Sequence, residues 1–318
     1  MAPRRGGGGG SSSGSSISSC PGAFTDRISQ VYFACVVLYF AVFLVISIAT
    51  CMIRKRTGTG KKLIGGPYII ALFIWLIAMG LEIVTSVLRE CGTVDLDSYY
   101  SLAIATTVFY RLAYWALLFV AGYVLNIMLR KSLGSPSMII KVILLAVVGI
   151  VFALSCALIG VTAYNNWTQT SAGYDADAEL IREPADQLRV AYAVLFLITV
   201  LITGGLSVMT VLAMRAGKLP GARLLIWVVL LAVSMLIWVL IDLVFAASFL
   251  HDNYQALDFA TQAALNYVQS FFQALSFVFL LCIAKHSSWN NAASFDMAQN
   301  QPVHYVHDTR NVQPTYHI

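Results

Sequence analysis

Three ionisable side chains lie inside long apolar stretches of this chain: Glu82, Arg111 and Asp242. A charge at the centre of a hydrocarbon layer costs on the order of 2.5–3.5 kcal/mol on insertion scales, so such residues seldom face lipid and by default mark a site. Measured from the middle of its own stretch, each lies about 7 Å toward the same face of a bilayer, at about 1.5 Å rise per helical residue. Opposite charges from three segments in one layer predict that Arg111 bridges both carboxylates, or that one of the acids holds a proton. The last apolar stretch adds Asn266, Gln269, Ser270, Gln273 and Ser276 at three- and four-residue steps, which is one helical face. Thr107, Tyr114 and Trp115 share a face with Arg111 that Gly122 and Asn126 continue. Thr85 and Ser86 accompany Glu82, and Thr199 and Thr203 reach a similar depth. The expectation is a polar chamber lined by Glu82, Arg111, Tyr114, Asp242, Asn266, Gln269 and Gln273. The plainer alternative is a set of interhelical hydrogen bonds that only hold helices together.

Such a chamber needs a bundle around it, and the composition supplies one. Of 318 residues, 59% are hydrophobic and 11% charged, against roughly 25% charged in an average soluble domain. So few charges cannot cover a soluble core of this size, and the lipid bilayer is the expected partner. Seven stretches reach the length a membrane-crossing helix needs: Val31–Ile53, Pro67–Leu88, Leu102–Leu129, Val142–Tyr164, Val190–Met214, Leu224–Leu250 and Ala263–Ala284. The expected fold is therefore all-α, a polytopic seven-transmembrane-helix bundle over residues 30–285. The +5 net charge is scattered through short connections rather than gathered in a stripe, which excludes a nucleic-acid binder.

Basic residues set the expected orientation. Arg54, Lys55, Arg56, Lys61 and Lys62 follow the first span; Arg130, Lys131 and Lys141 follow the third; Arg215, Lys218 and Arg223 follow the fifth; Lys285 closes the seventh. The alternate connections are acidic or mixed, so the N-terminus is expected outside and the C-terminus in the cytosol. Residues 1–29, beginning Gly/Ser-rich, and 286–318 are expected to be disordered. No apolar h-region precedes the first span, which is expected to act as its own signal anchor. Tyr99, Tyr100, Tyr164, Trp167 and Tyr254 fit an outer aromatic belt, and Tyr68, Trp227 and Trp289 an inner one. The end Tyr316-His317-Ile318 carries no retention signal, which points to the plasma membrane or another post-ER membrane.

Cys20 and Cys91 both fall on the expected outer side, where a disulfide is allowed and unlinked thiols are equally compatible. Cys51 and Cys282 lie near inner helix ends and suit either palmitoylation or plain burial, while Cys35 and Cys156 read as core. Asn166-Trp167-Thr168 fits the N-glycosylation pattern at the expected outer end of the fourth span. Gly149, Ala153 and Ala157, and the pair Gly204-Gly205, predict close helix contacts. All five histidines, His251, His286, His304, His307 and His317, fall outside the spans. A buried metal site or a nucleophile with its base is therefore not expected. Neither a cofactor nor an enzymatic activity is expected.

Seven spans with an external N-terminus are similar in layout to G-protein-coupled receptors and microbial rhodopsins. The likeness is one of topology: the inner end of the third span reads Asn126-Ile127-Met128-Leu129-Arg130-Lys131, and Lys285 stands at the edge of the seventh span rather than its middle. Three functions fit these residues. The first is a receptor-like sensor of a small polar or amphipathic ligand, with Arg111 meeting an anionic group and output through the tail or a cytosolic partner. The second is a transporter or lipid-handling protein using the same charges. The third is a structural scaffold.

Overall fold

Apolar runs of this length fold as helices because, in hydrocarbon, only a helix satisfies every backbone N–H and C=O within one segment. The structure, a computed structural model, describes residues 20, 24–56, 63–134, 137–170, 180–217, 224–248 and 259–286. Tyr254, Trp289, the loop acids 175–179 and 252–258 and nearly all of the 286–318 tail lie outside the described residues. The described helices are α1 (Arg27–Arg56), α2 (Gly66–Cys91), α3 (Leu96–Leu118), α4 (Leu125–Ser132), α5 (Met138–Trp167), α6 (Glu183–Ala216), α7 (Leu224–Ser248) and α8 (Phe259–Lys285). A π-helical segment, Phe119–Val124, joins α3 to α4 without a break. Seven membrane-spanning helices result, the third running Asp97–Ser132. This is an all-helical integral membrane protein.

Local chemistry sets the helix ends. Pro67 and Pro184 stand in first turns, where a missing N–H removes no intrahelical bond. Glu183 and Asp186 open α6, and Arg130, Lys131 and Lys285 close α4 and α8, each complementing the helix dipole. Gly92 caps α2 at φ 60°, a left-handed conformation that glycine adopts without a Cβ clash. The helices outrun the predicted spans because polar flanks continue them into the headgroup layer. At 36 residues the third span is about 54 Å long.

Around the bundle the order of neighbours is α1, α2, α3, α5, α6, α7, α8 and back to α1. The third span is central, with 56% of its most apolar window buried, and the first is peripheral, with 22%. Val45, Ile48, Phe73, Ile139, Met209 and Ile226 are exposed on the outer surface, as lipid-facing residues must be. The core is strongly aromatic: Phe43, Trp75 and Phe277 lie 5.3–5.8 Å apart between ring centroids.

Four expectations are corrected here. Tyr68 is not a belt residue; it is buried and its hydroxyl donates to the Phe277 carbonyl at 3.1 Å. Gly149, Ala153 and Ala157 face outward and meet no other helix in the bundle. Cys156 is exposed on the same helix rather than core. Cys35 is only partly buried and lines a cavity. Gly204 does mark a close approach, since a Cβ there would stand 3.3 Å from the Ala232 Cβ.

Candidate functional site

The three intramembrane charges form two separate sites. Arg111 on α3 pairs with Asp242 on α7, Nη1 to Oδ2 3.9 Å, and its guanidinium lies 5.1 Å from the centre of the Tyr192 ring on α6. Glu82 on α2 instead accepts hydrogen bonds from the hydroxyls of Tyr32 on α1 and Tyr110 on α3. The expectation that Arg111 bridges both acids is thus overturned for Glu82. Helix geometry gives the reason: Tyr110 and Arg111 are neighbours in sequence and point about 100° apart around α3. With Tyr110 turned toward α2, Arg111 must turn toward α6 and α7. Tyr114, one turn beyond Tyr110, stands between the two sites, its ring 5.3 Å from Trp75 and 5.4 Å from Trp238.

A cavity of about 150 Å³ opens beside Glu82, between α1, α2, α3 and α8. Of the expected chamber residues, Glu82, Tyr114, Asn266, Gln269 and Gln273 line it, and Arg111 and Asp242 do not. Tyr32, Tyr39, Trp75, Tyr110 and Tyr267 also line it and were not anticipated. Their only sequence signal is weak: Tyr32 and Tyr39 are two turns apart on one face of α1. The residues lining this cavity include no lysine, arginine or histidine. Among the residues lining it, Trp75 has a buried Nε1 donor with no hydrogen-bond partner, and Gln273 stands against the Tyr114 hydroxyl.

A second cavity of about 340 Å³ adjoins it and shares Tyr32, Ala263 and Asn266 with it. This vestibule lies at the end of the bundle where α1 and α8 begin and α2 finishes, with Ser86, Arg89 and Glu90 on its wall. Chain segments before α1 are fastened there: Cys20 and Cys91 form a disulfide, and the Phe24 N–H donates to Glu90 Oε2 at 3.1 Å. Arg89 is itself placed 5.8 Å from the centre of the Tyr99 ring.

Several expected chamber residues serve helix packing instead. The hydroxyls of Thr85, Thr107, Thr199 and Thr203 each donate to the carbonyl four residues back, so they need no partner across the bundle. Trp115 turns toward α5, donating to the Val148 carbonyl at 3.1 Å. Asn126 donates to the Gly122 and Thr203 carbonyls at 2.8 and 3.1 Å, tying the π segment to α6. Ser276 joins Ser234 at 3.1 Å, tying α8 to α7. Asn166 sits in the last turn of α5, and the hydroxyl of its sequon partner Thr168 is donated to the Asn165 carbonyl at 2.8 Å. Among the described residues no group of histidine, cysteine and acidic side chains could hold a metal. No protein family, curated protein or solved structure matches the chain.

Proposed function

We propose that the chain is a receptor-like membrane sensor, with its N-terminus outside, that receives a small polar or amphipathic ligand in the Glu82 cavity. The observation that carries this reading is a carboxylate on the wall of a cavity within the bundle that adjoins the vestibule at one end of it. The disulfide at that end suits an oxidising compartment, and the basic clusters Arg54–Arg56 and Arg130–Lys131 stand at the other. On the side away from the vestibule, Phe43, Phe277 and Tyr68 are buried and packed together, which supports a one-ended pocket. Arg111 and Asp242 do not line the cavity, so ligand contact falls to Glu82 and the amides of α8 rather than to Arg111.

The test is labelling from outside intact cells with a membrane-impermeant maleimide. In chains that keep the Cys20–Cys91 bridge and have Cys35, Cys51, Cys156 and Cys282 replaced by alanine, Ser86→Cys and Ser270→Cys should both react, and Ser276→Cys, at a fully buried position, should not. Folded, surface-displayed protein in which positions 86 and 270 stay unlabelled would overturn the reading.

A further inference from the structure

We infer that the Glu82 cavity takes the ammonium head of a small organic cation carrying an oxygen acceptor, a ligand class opposite in charge to the anion that Arg111 first suggests. The inference rests on the sensor reading above and adds the chemistry of its ligand. Glu82 is held by two hydroxyls, which satisfy lone pairs without neutralising charge. A carboxylate has about four acceptor positions, so about two remain. Glu82 is half-buried, and a charge partly withdrawn from water is costly unless a counter-charge is supplied. The residues on this wall supply none, and the layer's arginine does not line the cavity but lies 3.9 Å from Asp242.

The rest of the wall is what an ammonium prefers. Trp75 lies 5.3 Å from Tyr114 and 6.1 Å from Tyr110, and Tyr39 lies 5.3 Å from Tyr267, all ring to ring. Aromatic faces attract quaternary and primary ammonium groups, most strongly when water is excluded. Trp75 Nε1 is a buried donor without a hydrogen-bond partner, and Asn266 and Gln269 bring amides to the same wall, so an acceptor atom on the ligand has donors to meet. Size agrees. At about 150 Å³ the cavity is comparable to engineered cavities that hold a benzene ring, which is near the bulk of a trimethylammonium with a short arm. Anything longer would extend into the vestibule of about 340 Å³.

An isosteric charge series tests this on the full-length chain in lipid nanodiscs. Cys35 lines the cavity and serves as reporter once Cys51, Cys156 and Cys282 are replaced by alanine. The rate of its modification by N-ethylmaleimide is followed with choline, with the neutral isostere 3,3-dimethylbutan-1-ol, and with the anion 3,3-dimethylbutanoate. Choline should protect at concentrations at least about tenfold lower than the alcohol, as a desolvated cation–π and ionic contact requires, and the anion should not protect. Glu82→Gln should narrow the gap between choline and the alcohol, leaving only the part that the aromatic rings supply. Equal protection by the alcohol, protection by the anion, or no protection by any of the three would overturn the ammonium assignment while leaving the sensor reading to the labelling of positions 86 and 270. The series on the unsubstituted Glu82 chain decides the matter even if Glu82→Gln fails to fold.

Discussion

Removing Asp242's charge isolates the ion pair from the cavity. At 3.9 Å, and at an effective dielectric of about 20, a pair of unit charges is worth about 4 kcal/mol. The two side chains keep 14% and 21% exposure, so each is incompletely desolvated. The loss should therefore fall at the low end of the range for a buried pair deprived of one member, about 3 kcal/mol for Asp242→Asn. Arg111 would stay charged with the Tyr192 ring, 5.1 Å away, as its remaining attraction, which is worth about 1 kcal/mol. Replacing both members, Arg111→Met with Asp242→Leu, removes the orphaned charge and should return stability to within about 1 kcal/mol of the parent. Equilibrium unfolding in mixed micelles, followed by tryptophan fluorescence, measures both. Choline protection of Cys35 should be unchanged in the double variant, because neither residue lines the cavity. A single variant as stable as the parent, or a folded double variant that has lost choline protection, would refute the division into two sites.

Other contacts give their own tests. Gly122→Ala would place a Cβ 3.2 Å from Thr203 Cγ2 and should cost about 1–3 kcal/mol by overpacking; adding Thr203→Ser, which removes that methyl, should recover most of the loss in the same unfolding measurement. Trp115→Phe deletes the donor to the Val148 carbonyl and should lower stability by about 1 kcal/mol. Replacing Cys20 and Cys91 by serine should abolish the mobility difference between reduced and non-reduced protein on a gel, and should destabilise by about 2–4 kcal/mol, the usual range for a native bridge.

That Glu82, Arg111 and Asp242 share a level along the bundle was legible in the sequence, since their partners Tyr110 and Arg111 are consecutive on α3, and direction around each helix was not. Counting residues from span midpoints places Glu82, Arg111 and Asp242 in one layer, and Tyr114 indeed stands between the pair and the acid. Which of them meet depends on how α3 is turned and which helices flank it, and both are set by packing across the bundle. Hydropathy of the separate spans does not encode the order α1, α2, α3, α5, α6, α7, α8 around the ring. The polar stripe of α8 was legible as one face, yet it divides in the structure: Gln269, Ser270 and Gln273 line the cavity while Ser276 binds α7. The threonines misled for a local reason, since a hydroxyl that bonds its own helix looks the same in sequence as one that reaches across. The cavity tyrosines were hidden because tyrosine in a membrane protein is ordinarily read as an interfacial residue. Gly149, Ala153 and Ala157 show the converse, a packing motif in sequence whose face finds no partner in the bundle.

In the proposed sensor, holding Glu82 with tyrosines rather than with Arg111 would have a consequence for ligand entry. An acid already paired with arginine would have to surrender an ion pair before accepting a cation, whereas hydroxyl donors can keep their bonds as the ligand arrives, so the site is preorganised without that loss. The two hydroxyls come from very different helices. Tyr110 belongs to the central third span and Tyr32 to α1, the peripheral one. A cation that draws Glu82 and the rings of Tyr32 and Tyr39 together therefore acts mainly on α1, the least buried helix and the one with least packing to resist a shift. Hydrogen exchange should accordingly show added protection over the Tyr32–Tyr39 segment on choline binding, with α5, which does not line the cavity, unchanged. Protection spread evenly over the bundle, or confined to α5, would mean that the tyrosine clamp does not couple the cavity to α1.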